Sequence, residues 1–122
     1  MTKIKVFRDL LVWQKAHQLV LLIYKITSDY PKQELFSLVS QIRRSSISIA
    51  ANIVEGFRRK DLKESIRFYN IADASLEETK YHLLLSKDLN YINQTTYNII
   101  INLSEEVGRL LARWIQSQNR FL

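Results

Sequence analysis

The sequence has no cysteine, only two glycines and only one proline. Without cysteine, there is no disulfide, thiolate metal site or cysteine nucleophile. The scarcity of glycine and proline argues against tight-turned all-β folds and glycine-rich phosphate loops, which need more turn residues. The 122 residues are 47% hydrophobic, which is enough to form the core of one domain. The composition therefore predicts a single domain over residues 1–122, made of a few long helices.

Long hydrophobic runs are also missing. The longest, Leu19–Tyr24, is far shorter than the roughly 20 residues that a membrane-spanning helix needs. Lys3 and Lys5 near the start are not followed by the apolar region of a signal peptide. We therefore expect no membrane partner, and a soluble cytoplasmic protein.

Four segments do have helical apolar spacing, over about residues 9–27, 32–55, 61–89 and 94–119. Pro31 is expected in the first turn of the second helix, and Gly56 at the stop after it. Asp61 followed by Glu64 indicates a capping box at the start of the third helix. Four helices with short connections predict an all-α, antiparallel up-down-up-down four-helix bundle.

The first helix is apolar on more than one face. One stripe, expected to face the core, has helical spacing of 4, 3, 4 and 3 and consists of Val12, Ala16, Leu19, Ile23 and Ile26. Leu10, Leu21 and Tyr24 fall on a further face. Because a helix of a small bundle needs only one apolar face, these three residues predict an interface with another copy of the chain.

Positive charge is concentrated in the first half of the chain. The net charge is +6, of which residues 1–60 carry +7 and residues 61–122 carry −1. A basic surplus favours a polyanionic partner such as nucleic acid. The sequence has one cluster at Arg43-Arg44 and a second at Arg58-Arg59-Lys60. Guanidinium groups suit phosphates, and Phe57 beside the second cluster could stack on an unpaired base. The candidate nucleic-acid-binding residues are Arg43, Arg44, Arg58, Arg59, Lys60, Arg109, Arg113 and Arg120.

A second explanation for these cations stays open. Arg58, Arg59 and Lys60 could simply complement the dipole at the end of the second helix. Glu105 precedes Arg109 by four residues, so ordinary helix ion pairing could account for part of that face.

The residues that bundle chemistry requires are not found. A di-metal carboxylate site needs Glu-x-x-His on two helices, and no glutamate here is followed by histidine at that spacing. His17 and His82 lie on different predicted helices, and no G-x-S-x-G motif is present. We therefore expect a non-enzyme with no catalytic residues, no metal and no cofactor.

A polar stripe with core-like spacing runs along the second helix: Gln41, Ser45, Ser48, Asn52 and Glu55. Three interpretations are a solvated face, a buried hydrogen-bond network that sets helix register, and a ligand surface. We favour the network for Asn52 and Glu55, with Gln41 on the same stripe. Glu55 would then be held by a cation or by backbone donors.

Several segments carry a family resemblance. Phe7–Ala16, Tyr30-Pro31 and above all Gln41–Gly56 resemble the 23S rRNA intervening-sequence protein family, also called S23 ribosomal protein or four-helix bundle protein, and Tyr69–Glu78 resembles its third-helix signature. The resemblance implies a four-helix bundle that assembles into a ring-shaped homopentamer, and it implies no catalytic residues. Members are encoded in intervening sequences of bacterial rRNA genes or elsewhere.

The C-terminal helix resembles a related branch. Glu106–Leu111 and Trp114-Ile115 look like the accessory variability determinant of diversity-generating retroelements, a basic pentamer that binds a reverse transcriptase and nucleic acid. The first hypothesis is therefore a non-catalytic oligomer that binds nucleic acid, either structured RNA such as rRNA or RNA/DNA. The alternative is a retroelement accessory protein that binds a reverse transcriptase and its template RNA or cDNA.

Overall fold

The computed structural model describes residues 4–122, which form four α-helices and contain no β-strand. The helices are α1 (Leu11–Thr27), α2 (Leu38–Arg58), α3 (Leu62–Asp88) and α4 (Gln94–Asn119). Short 3₁₀ turns at Phe7–Asp9 and Lys32–Glu34 precede α1 and α2. The predicted all-α, four-helix architecture is confirmed.

Neighbouring helices run antiparallel. The early part of α2 meets the late part of α1, where Arg43 bonds Thr27, and the late part of α3, where Ser45 contacts His82. The late part of α4 likewise packs on early α3, with Tyr69 edge-on to Trp114. Each helix contacts two neighbours: α1 packs on α2 and α4, and α3 packs on α2 and α4. This is the predicted up-down-up-down order.

The core is formed by the predicted stripes, with some corrections. On α1, Val12, Ala16, Leu19 and Ile23 are buried, whereas Ile26 is only half-buried. On α4 the apolar spacing predicts a core stripe of Ile100, Leu103, Val107, Leu110 and Trp114, whereas the buried residues are Ile100, Ser104, Val107 and Leu111. The buried face is therefore turned slightly from the predicted one. A smaller cluster of Tyr30, Leu38, Val39 and Ile92 closes the far end.

Leu10 contradicts its predicted role in an interface between copies. It is only 2% exposed and belongs to the core of its own protomer. Leu10 lies just before α1 in extended backbone, so helical periodicity does not describe the direction of its side chain. Leu21 and Tyr24 do lie within the helix and are 57% and 40% exposed.

The bounds of α2 differ from the prediction at both ends. Pro31 precedes a 3₁₀ turn and not the α-helix, which begins only at Leu38. Gly56 does not stop α2, which continues to Arg58. Gly56 is buried because α3 approaches it closely: a Cβ there would lie 2.5 Å from Tyr69 Cε1 and 2.9 Å from the Ser65 carbonyl oxygen. The glycine therefore serves helix packing.

The capping box predicted at the start of α3 is only partly formed. The Asp61 side chain accepts a hydrogen bond from the Lys63 backbone N–H at 3.2 Å. Glu64 instead accepts hydrogen bonds from Arg67 at 3.0 and 3.3 Å. Asp61 is thus an N-cap, whereas the reciprocal half of the capping box is absent.

Candidate nucleic-acid interface

The antiparallel order brings cations from three helices to one end of the bundle. α2 and α4 end there, and α1 and α3 begin there. Among residues 4–122, no carboxylate lies within salt-bridge distance of five exposed cations at this end. We call these five the terminal basic surface: Arg58, Lys60, Lys63, Arg113 and Arg120.

The segment that precedes α1 adds two cations. It crosses the same end, where Ile4 lines a cleft with Arg113, while Lys5 and Arg8 line a second cleft with Arg58. The segment is tied to α1 by Gln14, whose Nε2 donates to the Arg8 carbonyl oxygen at 2.8 Å. The sequence does not single out Lys5, Arg8 and Lys63, because none of them is directly adjacent to another cation in the chain.

Two of the predicted contact residues are paired with carboxylates. Arg59 bonds Glu55 at 3.1 Å and lies over the Phe68 ring at 4.6 Å, and Arg44 pairs with Glu78. Exposed pairs of this kind contribute little to stability. They nevertheless reduce the positive charge that these two arginines present to a phosphate.

Arg43 and Arg44 do not belong to the terminal basic surface. They precede Arg58 by about fifteen residues, which at 1.5 Å per residue is roughly 22 Å along α2. Arg43 is half-buried: its Nε donates to Thr27 Oγ1 at 3.0 Å, and its guanidinium lies 4.4 Å from the centre of the Tyr24 ring. The structure therefore divides the predicted set into two separate regions.

Arg109 lies one helical turn before Arg113 on α4 and is exposed. The suspected pair with Glu105 does not form, since Glu105 instead bonds Lys80 at 3.3 Å. Ordinary helix ion pairing thus does not account for Arg109, and Arg109 extends the terminal basic surface along α4.

The polar stripe on α2 is only partly buried. Gln41 and Glu55 are exposed, which contradicts their predicted place in a buried network, although Glu55 is held by a cation as expected. Asn52 is half-buried and donates to the Ser48 carbonyl oxygen at 2.8 Å. Along this stripe, only Ser45 is fully buried, and Ser48 is half-buried like Asn52.

The buried network instead joins α2 to α3. Thr79 Oγ1 lies 2.8 Å from Ser45 Oγ and donates there or to the Ser75 carbonyl oxygen, while Ser48 Oγ lies 2.8 Å from Ser75 Oγ. His82 Nδ1 is 3.2 Å from Ser45 Oγ. Ser75, Thr79 and His82 are spaced 4 and 3 along the core side of α3, a pattern that could have revealed them.

Two residues of this network, Ser45 and His82, form a serine–histidine–glutamate arrangement with Glu78. Ser45 Oγ contacts His82 Nδ1, and His82 Nε2 lies 3.6 Å from Glu78 Oε2. Ser45 is fully buried, so its hydroxyl has no access to a substrate. A nucleophile must reach the reacting atom, and the arrangement therefore fits a structural network better than nucleophilic catalysis. Along the described chain, no three His, Asp or Glu side chains come together at a spacing that could hold a metal ion.

Residues 8–113 match the model of the 23S rRNA-intervening sequence protein family. The chain belongs to this family. A crystal structure of a protein of unknown function from the S23 ribosomal protein family of Bacteroides thetaiotaomicron VPI-5482 is similar: it is 33% identical, and the match covers 86% of this chain and 98% of that one, with a TM-score of 0.77. No curated protein matches the chain. The resemblance to the 23S rRNA intervening-sequence protein family is thereby confirmed.

The part of the chain that matches the 23S rRNA-intervening sequence protein family includes most of the candidate residues. Arg58, Lys60 and Arg113 lie inside residues 8–113, whereas Lys5 and Arg120 lie outside. None of the helices described in this family member has a stretch long and apolar enough to cross a bilayer.

The buried His82 is expected to make the stability of this family member dependent on pH. Burial lowers the pKa of His82; Glu78 opposes this shift, and Arg44 adds to it. The unfolded chain then binds a proton more readily than the folded chain, so the free energy of unfolding should fall as pH drops below about 6.5. Urea unfolding midpoints between about pH 7.5 and 5.5 measure this loss.

Two variants test the assignment to His82. His82→Gln should flatten the pH dependence of the midpoint, whereas His17→Gln should retain it, because His17 is exposed and lies outside the buried network. An equally steep pH dependence in His82→Gln would contradict the assignment.

Proposed function

We propose that the protein is a non-catalytic, basic bundle that binds nucleic acid, either structured RNA such as rRNA or RNA/DNA. The observation that carries this proposal is the terminal basic surface, on which five exposed cations have no salt-bridge partner among residues 4–122. Two nearby carboxylates, Glu55 and Glu64, are occupied by Arg59 and Arg67. The end of the bundle is therefore positive in sum, although Asp9 and Asp61 reduce its potential.

Phosphate backbones are the chemistry that fits such a surface. Arginine offers two parallel N–H donors to a phosphate, and lysine offers a mobile point charge. Each phosphate contact releases condensed counterions, which gives affinity without base specificity. Gel shifts with a structured RNA and with duplex DNA at low salt test the proposal. Binding of either would support it, and no binding of either would overturn it.

We also infer that copies of the chain assemble into a ring, with five subunits by the family resemblance. Leu21 and Tyr24 leave an apolar face of α1 open to solvent. Repetition of the terminal basic surface in one assembly would raise affinity through multivalent contact. This assembly is part of the proposal for nucleic-acid binding, since the charge of a single protomer is modest.

Light scattering tests the assembly. The wild-type protein should have a mass about five times that of the 14.4 kDa protomer. Leu21→Glu should lower that mass, because a buried unpaired carboxylate is costly at an interface. Ile99→Glu is the matched control, since Ile99 is similarly exposed but lies on α4. A wild-type protein that scatters as a monomer would refute the interface.

The second candidate function is that of a retroelement accessory protein. It is favoured by the exposed apolar face of α1 and by the resemblance of Glu106–Leu111 to the C-terminal helix of that branch. Its partner would be a reverse transcriptase together with template RNA or cDNA. A neighbouring reverse transcriptase gene and stable co-purification of that enzyme would support it. A gene position inside an rRNA operon would count against it.

A further inference from the structure

A cleft of about 350 Å³ lies between the segment that precedes α1 and the last turns of α2. Its cationic lining consists of Lys5, Arg8 and Arg58, and its apolar lining consists of Val6, Phe7, Val54 and Phe57. No acidic residue lines it. Within residues 4–122, none of its three cations has a carboxylate partner.

The lining combines positive charge with apolar walls. A phosphate ion alone would need only the cations, whereas the apolar walls can cover a flat, weakly polar group. The volume is near the lower end of the ~300–1,000 Å³ range of small-molecule sites, so it suits one compact group and no larger ligand.

Phe57 supplies an aromatic surface that is held in place. It is half-buried and packs against the core cluster while it lines the cleft. A ring that is already immobilised loses little side-chain entropy when a base stacks on it. The cleft is also part of the end of the bundle that contains the terminal basic surface, because Arg58 belongs to both.

A larger cleft elsewhere does not share this character. It has a volume of about 480 Å³ beside His82, and Glu34 is one of its lining residues. That cleft contains no lysine or arginine, so it does not suit a phosphate.

We propose that the cleft between the N-terminal segment and α2 binds one unpaired nucleotide. The base would lie against Phe57, and the phosphate would contact Lys5, Arg8 and Arg58. The inference rests on the proposed nucleic-acid binding. It specifies which part of the nucleic acid enters the cleft, namely an unpaired nucleotide of a strand. A free mononucleotide has the same chemistry. Paired bases in a duplex are stacked and cannot enter, so the site should favour single-stranded segments.

The experiment compares four probes by fluorescence anisotropy or competition at low salt. The probes are a single strand of about ten nucleotides, a duplex of the same length, AMP and inorganic phosphate. The wild-type protein should bind the single strand about tenfold more tightly than the duplex, since one stacked base contributes at that level. AMP should compete for the site better than phosphate does, and phosphate that competes as well as AMP would overturn the role of the base. Weak AMP binding together with strong single-strand binding would show that the cleft binds a nucleotide within a strand and not a free mononucleotide.

Two variants assign the effect to this cleft. Phe57→Leu keeps an apolar side chain in the core but removes the flat ring, so it should abolish the single-strand preference and leave duplex affinity unchanged. The triple variant K5Q/R8Q/R58Q should weaken single-strand binding, whereas K25Q/K32Q/K87Q, which removes the same charge from the other end, should retain it.

The outcomes separate the two proposals. If Phe57→Leu binds both probes as the wild type does, or if wild-type affinities for strand and duplex are equal, the nucleotide cleft is refuted while nucleic-acid binding stands. If neither probe binds, the proposed function itself fails. Circular dichroism of each variant shows whether it is folded.

Discussion

Replacing Gly56 with alanine is expected to destabilise the bundle by about 1–3 kcal/mol, the range for overpacking a well-filled core. The added Cβ would lie 2.5 Å from Tyr69 Cε1, a contact that real Cβ atoms do not make. Tyr69 is fully buried, and the second close atom belongs to the Ser65 backbone, so neither can move easily. Urea denaturation should show a lower midpoint with an unchanged slope.

Gly108→Ala is the matched control, because Gly108 also lies inside a helix. Its added Cβ would meet only Leu76 Cδ2 at 3.3 Å and Lys80 Nζ at 3.9 Å. The buried Leu76 side chain would have to move by only a few tenths of an ångström, and alanine is favoured over glycine in a helix by about 0.8–1.0 kcal/mol. This variant should be neutral or slightly stabilising. Equal stability of Gly56→Ala and the wild type would contradict the tight α2–α3 contact.

Removing three cations from the terminal basic surface is expected to weaken nucleic-acid binding by a similar factor for every sequence tested. The variant K60Q/R113Q/R120Q leaves the nucleotide cleft intact. If each residue contacts one phosphate, the slope of log affinity against log salt concentration should decrease in magnitude by about 3, or about 1 per contact. Titrations over a series of salt concentrations measure that slope.

The control for this variant is K25Q/K32Q/K87Q, which has the same net charge but loses cations from the opposite end. Charges beyond a Debye length of about 10 Å at 0.1 M salt act weakly, so the control should keep a slope close to that of the wild type. Equal losses in the two variants would mean that the protein attracts nucleic acid by net charge alone, without a defined surface.

The order and approximate bounds of the helices were predictable because one requirement governs them. Each helix must bury one apolar stripe, and Leu19 of α1 and Val107 of α4 lie on predicted stripes and are fully buried. The errors are at positions that periodicity does not describe. Leu10 lies in extended backbone, and Gly56 is required by the neighbouring helix and not by its own.

The candidate site was less predictable, because salt bridges depend on distances between helices. Clusters in the sequence identified Arg58 and Lys60, but they also included Arg44 and Arg59, whose charges are shared with Glu78 and Glu55. Lys5 was not identified, since it is distant in sequence from the cations that it joins.

The sequence by itself determined the all-α class, the four helices and the family, because apolar spacing and local motifs are properties of contiguous residues. Only the tertiary structure decided which cations share one end of the bundle, which are paired with carboxylates, and that Ser45, Thr79 and His82 meet between α2 and α3. Those outcomes depend on the rotation and close approach of whole helices. A shift of one residue in the buried face of a helix turns every side chain by about 100°, and no local pattern specifies that angle closely enough.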